Sequence, residues 1–207
     1  MKNFLLRAFL FLSAIASCFA QDKANDFDYG RVENNKYTNA FFKCEVTIPT
    51  DWIVQTKEQT EAMSKVGKAM VAGADSTMKA VLKASEINSA NLLVAFQHEV
   101  GSAVDYNPSF SIITENIKNL PGIKSGKEYL FLARRLMEQS QMKYNHLDKE
   151  FTKEVINGTD FYTMNTQIKY VGLDIKQIYY STVRNGFSFN IIISFINNQQ
   201  KKICYNL

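Results

Sequence analysis

The last third of the chain leaves little freedom of fold. Asn157-Gly158 and Asn185-Gly186 are dipeptides suited to two-residue hairpin turns, in which both central residues need positive φ. Alternating runs surround them: Phe151 to Ile156, Phe161 to Tyr170, Ile175 to Arg184 and Phe187 to Ile196. In the last run Phe187, Phe189, Ile191, Ile193 and Phe195 share a face. The pattern predicts four consecutive antiparallel strands, with helices covering the apolar side. Polar and tyrosine side chains, among them Asn165, Gln167, Gln177 and Tyr179, are expected to line the other.

The stretch FKCEVTIPTDWIV, 42–54, has the same period, with Phe42, Cys44, Val46 and Ile48 on one face and Lys43, Glu45 and Thr47 on the other. Pro49 cannot donate to a ladder and ends that strand. Thr50 and Asp51 are expected to turn the chain, Ile53 and Val54 to pair back, and Trp52 to pin the corner in the core. Thr56 and Gln59 form a capping box. Behind it Met63, Val66, Met70, Ala74, Met78 and Leu82 recur at helical spacing over 57–85, with a break near Gly73 and Asp75. Methionines so placed are core packing rather than a soft-metal box. Asn91 to Glu99 reads as a strand, and the residues after Pro108 as a short apolar segment of undefined type. Ser125 and Glu128 form a second capping box, opening a helix to about Met142 with Tyr129, Ala133, Leu136 and Met137 as its stripe. The tail NNQQKKICYNL begins a closing helix.

The beginning, MKNFLLRAFLFLSAIASCFAQDKAND, has the order of a secretory signal: basic residues, a short apolar run and small residues before a cleavage site. The run is shorter than the roughly 20 apolar residues a membrane span needs. Residues 1–20 are therefore expected to be a signal peptide, 21–35 a flexible segment and 36–207 a single domain, released to the periplasm or the exterior. IASC, 15–18, also fits a bacterial lipobox, and in that alternative Cys18 carries a lipid anchor. Without Lys2 and Arg7, and with no acidic residue among the first twenty, the formal charge falls from +4 to +2. So even a balance does not suit nucleic acid or an anionic membrane as main partner. At 46% hydrophobic and 13% aromatic the chain can build a core.

Reactive motifs fail on inspection. His98 and His146 lack the spacing that puts two ligands on one helical face, and both are expected at the rim. GIKSGKE, 122–128, has three residues between its glycines where a phosphate loop has four, and Glu128 where the magnesium hydroxyl belongs. ARR, 133–135, reads as a solvated helix face, and Asn157-Gly158-Thr159 as a sequon whose turn role suffices. Cys44 and Cys204 are an even pair that an exported protein could bridge, or two separate buried thiols. No catalytic residue, metal or cofactor is expected.

YTNAFFKCEVTIPTDWIV, NPSFSIITENI, PGIKSGKEYL and QIYYSTVRNGFSFNIIIS together resemble exported bacterial proteins of the PsbP and Mog group, from about residue 30 onward. The resemblance implies an α+β fold, an α/β/α sandwich around an antiparallel sheet of about six to seven strands, with accessory or binding roles and no catalytic set. It departs at the end, where the closing elements usual in that group stop at Leu207. The expected function is a non-enzymatic envelope accessory that docks on another envelope protein through exposed sheet-face residues such as Gln177 and Tyr179. The alternative is a carrier of a small or lipid-like ligand held between helices and sheet.

Overall fold

The computed structural model describes residues 27–205. The expected signal peptide and Cys18 lie outside the described residues. Two sheets make up most of the molecule. The small one joins β1 (Arg31–Glu33), β2 (Lys36–Asn39) and β3 (Cys44–Thr47). The large one has eight antiparallel strands, one or two more than expected. In chain order these are β4 (Ile53–Val54), β5 (Ser89–Phe96), β6 (Ser109–Asn116), β7 (Tyr144–Leu147), β8 (Thr152–Ile156), β9 (Thr159–Tyr170), β10 (Leu173–Arg184) and β11 (Phe187–Phe195). Their spatial order is β4-β5-β6-β11-β10-β9-β7, with β8 paired to β9 beside β7. The helices are α1 (Lys57–Ala72), α2 (Ser76–Asn88), α3 (Gly126–Gln139) and the short α4 (Asn198–Cys204).

The meander of β8 to β11 follows from its turns. Asn157-Gly158 and Asn185-Gly186 both sit at positive φ, as the type I′ turn requires. A third turn of this kind, Val171-Gly172, joins β9 to β10 with Val171 at φ 49. A β-branched residue is so unfavourable there that the turn is hard to see in the sequence. Asn34-Asn35 makes a fourth, between β1 and β2. The helical region breaks at Gly73, and both capping boxes form.

Register decides the faces. Ile178 lies opposite Ile193 and Asn165, while Gln177 lies opposite Ser194 and Thr166. Asn165 and Gln167 therefore belong to the apolar face, not to the face of Gln177 and Tyr179. The covering is also reversed from expectation. Phe189, Ile193, Phe195, Ile112 and Ile178 are buried under the small sheet, Phe42, Ile48, Trp52 and α4. Helix α3 packs instead on the Gln177 and Tyr179 side, mainly against β10 and β9. There Gly126 approaches so closely that a Cβ on it would lie 1.8 Å from the Ser181 carbonyl oxygen. Helices thus lie on both sides of the sheet, and the small sheet completes the layer over the apolar face.

The Pro49 corner turns no hairpin. Ile53 pairs with Phe96 of β5, so the corner carries the chain from the small sheet to the large one. Trp52 is buried, as expected. The segment after Pro108 is β6, the neighbour of β11. Residues 31–35, placed by sequence in a flexible segment, hold β1 and its turn. Phe27 packs at 5.7 Å from Phe187, and Asp28 accepts bonds from the amides of Gly30, Ala40 and Phe41. A carboxylate can serve three orphan donors at once, which fixes this edge of the domain.

Of the two readings open for Cys44 and Cys204, a bridge or separate thiols, the structure has the second: both thiols are free, Cys204 buried and Cys44 half-buried. Cys204 lies at the Ser109 and Ser194 end of the sheet. Cys44 follows Phe42 and Lys43, whose carbonyls accept from Arg184 at the opposite end. Seven residues of strand separate Phe187, the partner of Arg184, from Ser194. At about 3.4 Å per residue that is roughly 24 Å, far beyond the reach of a disulfide.

Candidate functional site

The helix-covered face is polar but self-contained. The Tyr179 hydroxyl donates to Gln177 Oε1 at 2.9 Å, so the two expected binding residues are half-buried and turned on each other. Tyr129 of α3 donates to Glu115 Oε2 at 2.9 Å, and Ser85 of α2 donates to Glu115 Oε1 at 3.2 Å. Asn190 accepts from the Ser181 hydroxyl at 2.7 Å, and its amide donates to Ser188 Oγ and to the Ile113 carbonyl. Tyr106 and Ser194 share a further bond. Burial pushes the Tyr106, Tyr129, Tyr144 and Tyr179 hydroxyls above the ordinary tyrosine range. Groups so paired and desolvated hold two layers in register and present little to an incoming molecule.

His146, expected at a rim, has a partner. Its Nε2 lies 2.7 Å from Asp148 Oδ1, while Asp148 Oδ2 accepts from the Asn165 backbone and side-chain amides, both at 2.7 Å. Burial opposes ionisation of Asp148, but the Asn165 amides and the His146 ring outweigh it and hold the carboxyl below its ordinary value. The pair ties β7 to β9. His98 sits just past β5, where Asn107 bonds its backbone on both sides. Among the described residues no group of three or more His, Cys, Asp or Glu is placed to hold a metal ion. Among them, too, no helix is long and apolar enough to cross a membrane.

The open feature is on the outside of α3. A cleft of about 920 Å³ runs between this helix, the loop Leu120–Ile123 and the segment Lys149–Phe151. Leu120, Phe131 and Leu132 are exposed along it. Arg134 forms its floor, and here the sequence reading of a solvated ARR face, which holds for the exposed Arg135, fails. The Arg134 side chain is only 15% exposed, its guanidinium 5.3 Å from the Phe131 ring and 5.7 Å from the Phe151 ring. Nη1 donates to the Lys149 carbonyl at 2.8 Å. Nε lies 3.4 Å from Glu138 Oε1, close enough for an ion pair but too poorly aligned for a hydrogen bond. A planar cation held between two aromatic faces is stiff, so the cleft has a preformed wall. The signal in sequence was Phe131 three residues before Arg134, neighbours on one helix face, but Phe151 reaches the site only through the meander.

Glu128 is committed to the Ser125 cap and Arg134 to the bonds above. This leaves Lys127 and Lys149 against Glu150 at the cleft rim. A second hollow, of about 550 Å³, lies by Tyr106, Tyr170 and Leu173. Chemically the cleft can hold an apolar group and orient a carboxylate. No family model and no curated protein matches the chain.

Proposed function

We propose that this is an exported, non-enzymatic accessory protein of the cell envelope that docks on another envelope protein through the cleft over α3. The observation that carries the reading is the set of exposed apolar side chains, Leu120, Phe131 and Leu132, arranged around the immobilised Arg134. Exposed apolar groups on a rigid wall are what a partner can bury without ordering the site first. The rim lysines favour a partner segment whose apolar side chain is flanked by a carboxylate. Export is supported by the N-terminal signal pattern, with Cys18 as the anchoring point in the lipidated form. The resemblance to the PsbP and Mog group supports an accessory role.

Native mass spectrometry of the protein extracted gently from its own envelope fraction tests this. A heterocomplex that disappears in Phe131→Ala, Leu132→Ala while the variant stays folded is the expected result. A complex unaffected by both changes overturns the cleft as the docking surface. The size of the cleft also favours a second reading, carriage of a small or lipid-like ligand, since about 300 to 1,000 Å³ is usual for such sites. A bare protomer carrying a small mass adduct would support that reading over the first.

A further inference from the structure

Strand β8 is an outer rail of the large sheet. Among the described residues it pairs with β9 alone, and all five of its residues are exposed. The two-residue turn at Asn157-Gly158 sets its bonding pattern. Ile156 exchanges backbone bonds with Thr159, Glu154 with Phe161, and Thr152 with Thr163. The N–H and C=O groups of Lys153 and Val155 therefore point away from β9, along the free edge. By the same alternation Phe151, Lys153 and Val155 look toward the α3 side, and Glu154 toward the other. Val155 is 66% exposed, and Phe151, just upstream, lines the cleft. Edge and cleft form one continuous surface.

We infer that the partner adds an extended segment to β8 as a further strand. Its side chains on the α3 side run from Val155 toward Phe131, and a basic side chain sits opposite Glu154. The inference rests on the docking reading above and names its mode. Charge argues for this occupant. Lys153 is committed to Asp160 at 2.7 Å, which leaves Glu154 as the uncompensated charge of the strand among the described residues. A second copy fits poorly, because full-length two-fold pairing of Thr152–Ile156 sets Glu154 directly against Glu154, and like charges directly opposite are unfavourable. Strand addition of this kind takes affinity from the backbone and specificity from alternate side chains.

The test uses a displayed heptapeptide library screened against the full chain, with the enriched peptides synthesised and titrated. The expected sequences place Lys or Arg opposite Glu154 between apolar residues, with an acidic residue at the end that reaches the rim lysines, and their binding protects the Lys153 and Val155 amides from hydrogen exchange. Val155→Pro removes an N–H that β9 does not use, so an edge strand tolerates it, and it is expected to weaken binding by about tenfold, the worth of one backbone bond. Val155→Thr should bind like the parent, and Glu154→Pro, which breaks the ladder, marks what unfolding looks like. Absence of enrichment, binding indifferent to Val155→Pro, or protection confined to α3 overturns strand addition. So does a dimer of the chain that Val155→Pro dissolves. Binding lost in Phe131→Ala but kept in Val155→Pro removes this inference and leaves the cleft standing.

Discussion

On one face of the large sheet the Phe42 ring lies 5.2 Å from Phe189 and 5.8 Å from Phe187, in a core of aromatic and aliphatic groups. One residue along the same strand, Asn190 points to the opposite face. There it gathers Ser181, Ser188 and the Ile113 carbonyl into a hydrogen-bonded layer beneath α3. The first face is held by non-directional burial, so its cover can be a small sheet, a corner and a short helix, whatever supplies apolar volume. The second is held by bonds with fixed geometry, which specify one position for α3. The difference explains why the side with more polar groups carries the main helix, contrary to a rule that assigns helices to the greasier face.

Breaking the apolar side should cost most. Phe42→Ala removes a fully buried ring and is expected to destabilise by about 4 kcal/mol in urea unfolding. A loss below about 1 kcal/mol would mean that the small sheet is not part of the cooperative core. On the helix side Gly126→Ala forces a methyl into the Ser181 backbone, at an expected cost of about 3 kcal/mol. Helix displacement should then expose Tyr129 to quenchers, which Phe42→Ala should do less.

Asn190→Ala leaves the Ser181 hydroxyl and its neighbours without their partner, for a loss of about 2 kcal/mol. A double-mutant cycle with Ser181→Ala should show coupling, and strict additivity would deny the network its specifying role. Alkaline titration sharpens the same point. The half-buried tyrosines of this face have hydroxyls raised above the ordinary value, by desolvation first. Above pH about 10 the unfolded chain holds fewer protons than the folded one, so stability falls as pH rises and is complete below that point. Tyr37 and Tyr180 on the apolar face, raised by burial as well, add to the fall. Tyr179→Phe should make the alkaline limb shallower; an unchanged limb would place the titration elsewhere. The smallest effect is a gain. Val171→Asn relieves a β-branched residue at positive φ that is 82% exposed, and should stabilise by about 1 kcal/mol.

The sequence by itself determined the local elements. Period-two runs and Asn-Gly turns specify β8 to β11, and capping boxes start α1 and α3, because these signals act between residues that are neighbours in the chain. It did not reveal β6 as the partner of β11, the passage of the chain from one sheet to the other at the Pro49 corner, or the Val171 turn. Each depends on which strand is available to pair, or on strain that the rest of the fold compensates. The cleft was half legible. Phe131 and Arg134 are helical neighbours, but Phe151 arrives from a strand that only the sheet order brings alongside. Gln177 and Tyr179 were rightly grouped on one face, yet whether that face meets solvent or a helix is set by contacts distant in sequence. Local pattern establishes which groups share a face; only the packing of layers decides what covers it, because burial is a property of the whole chain.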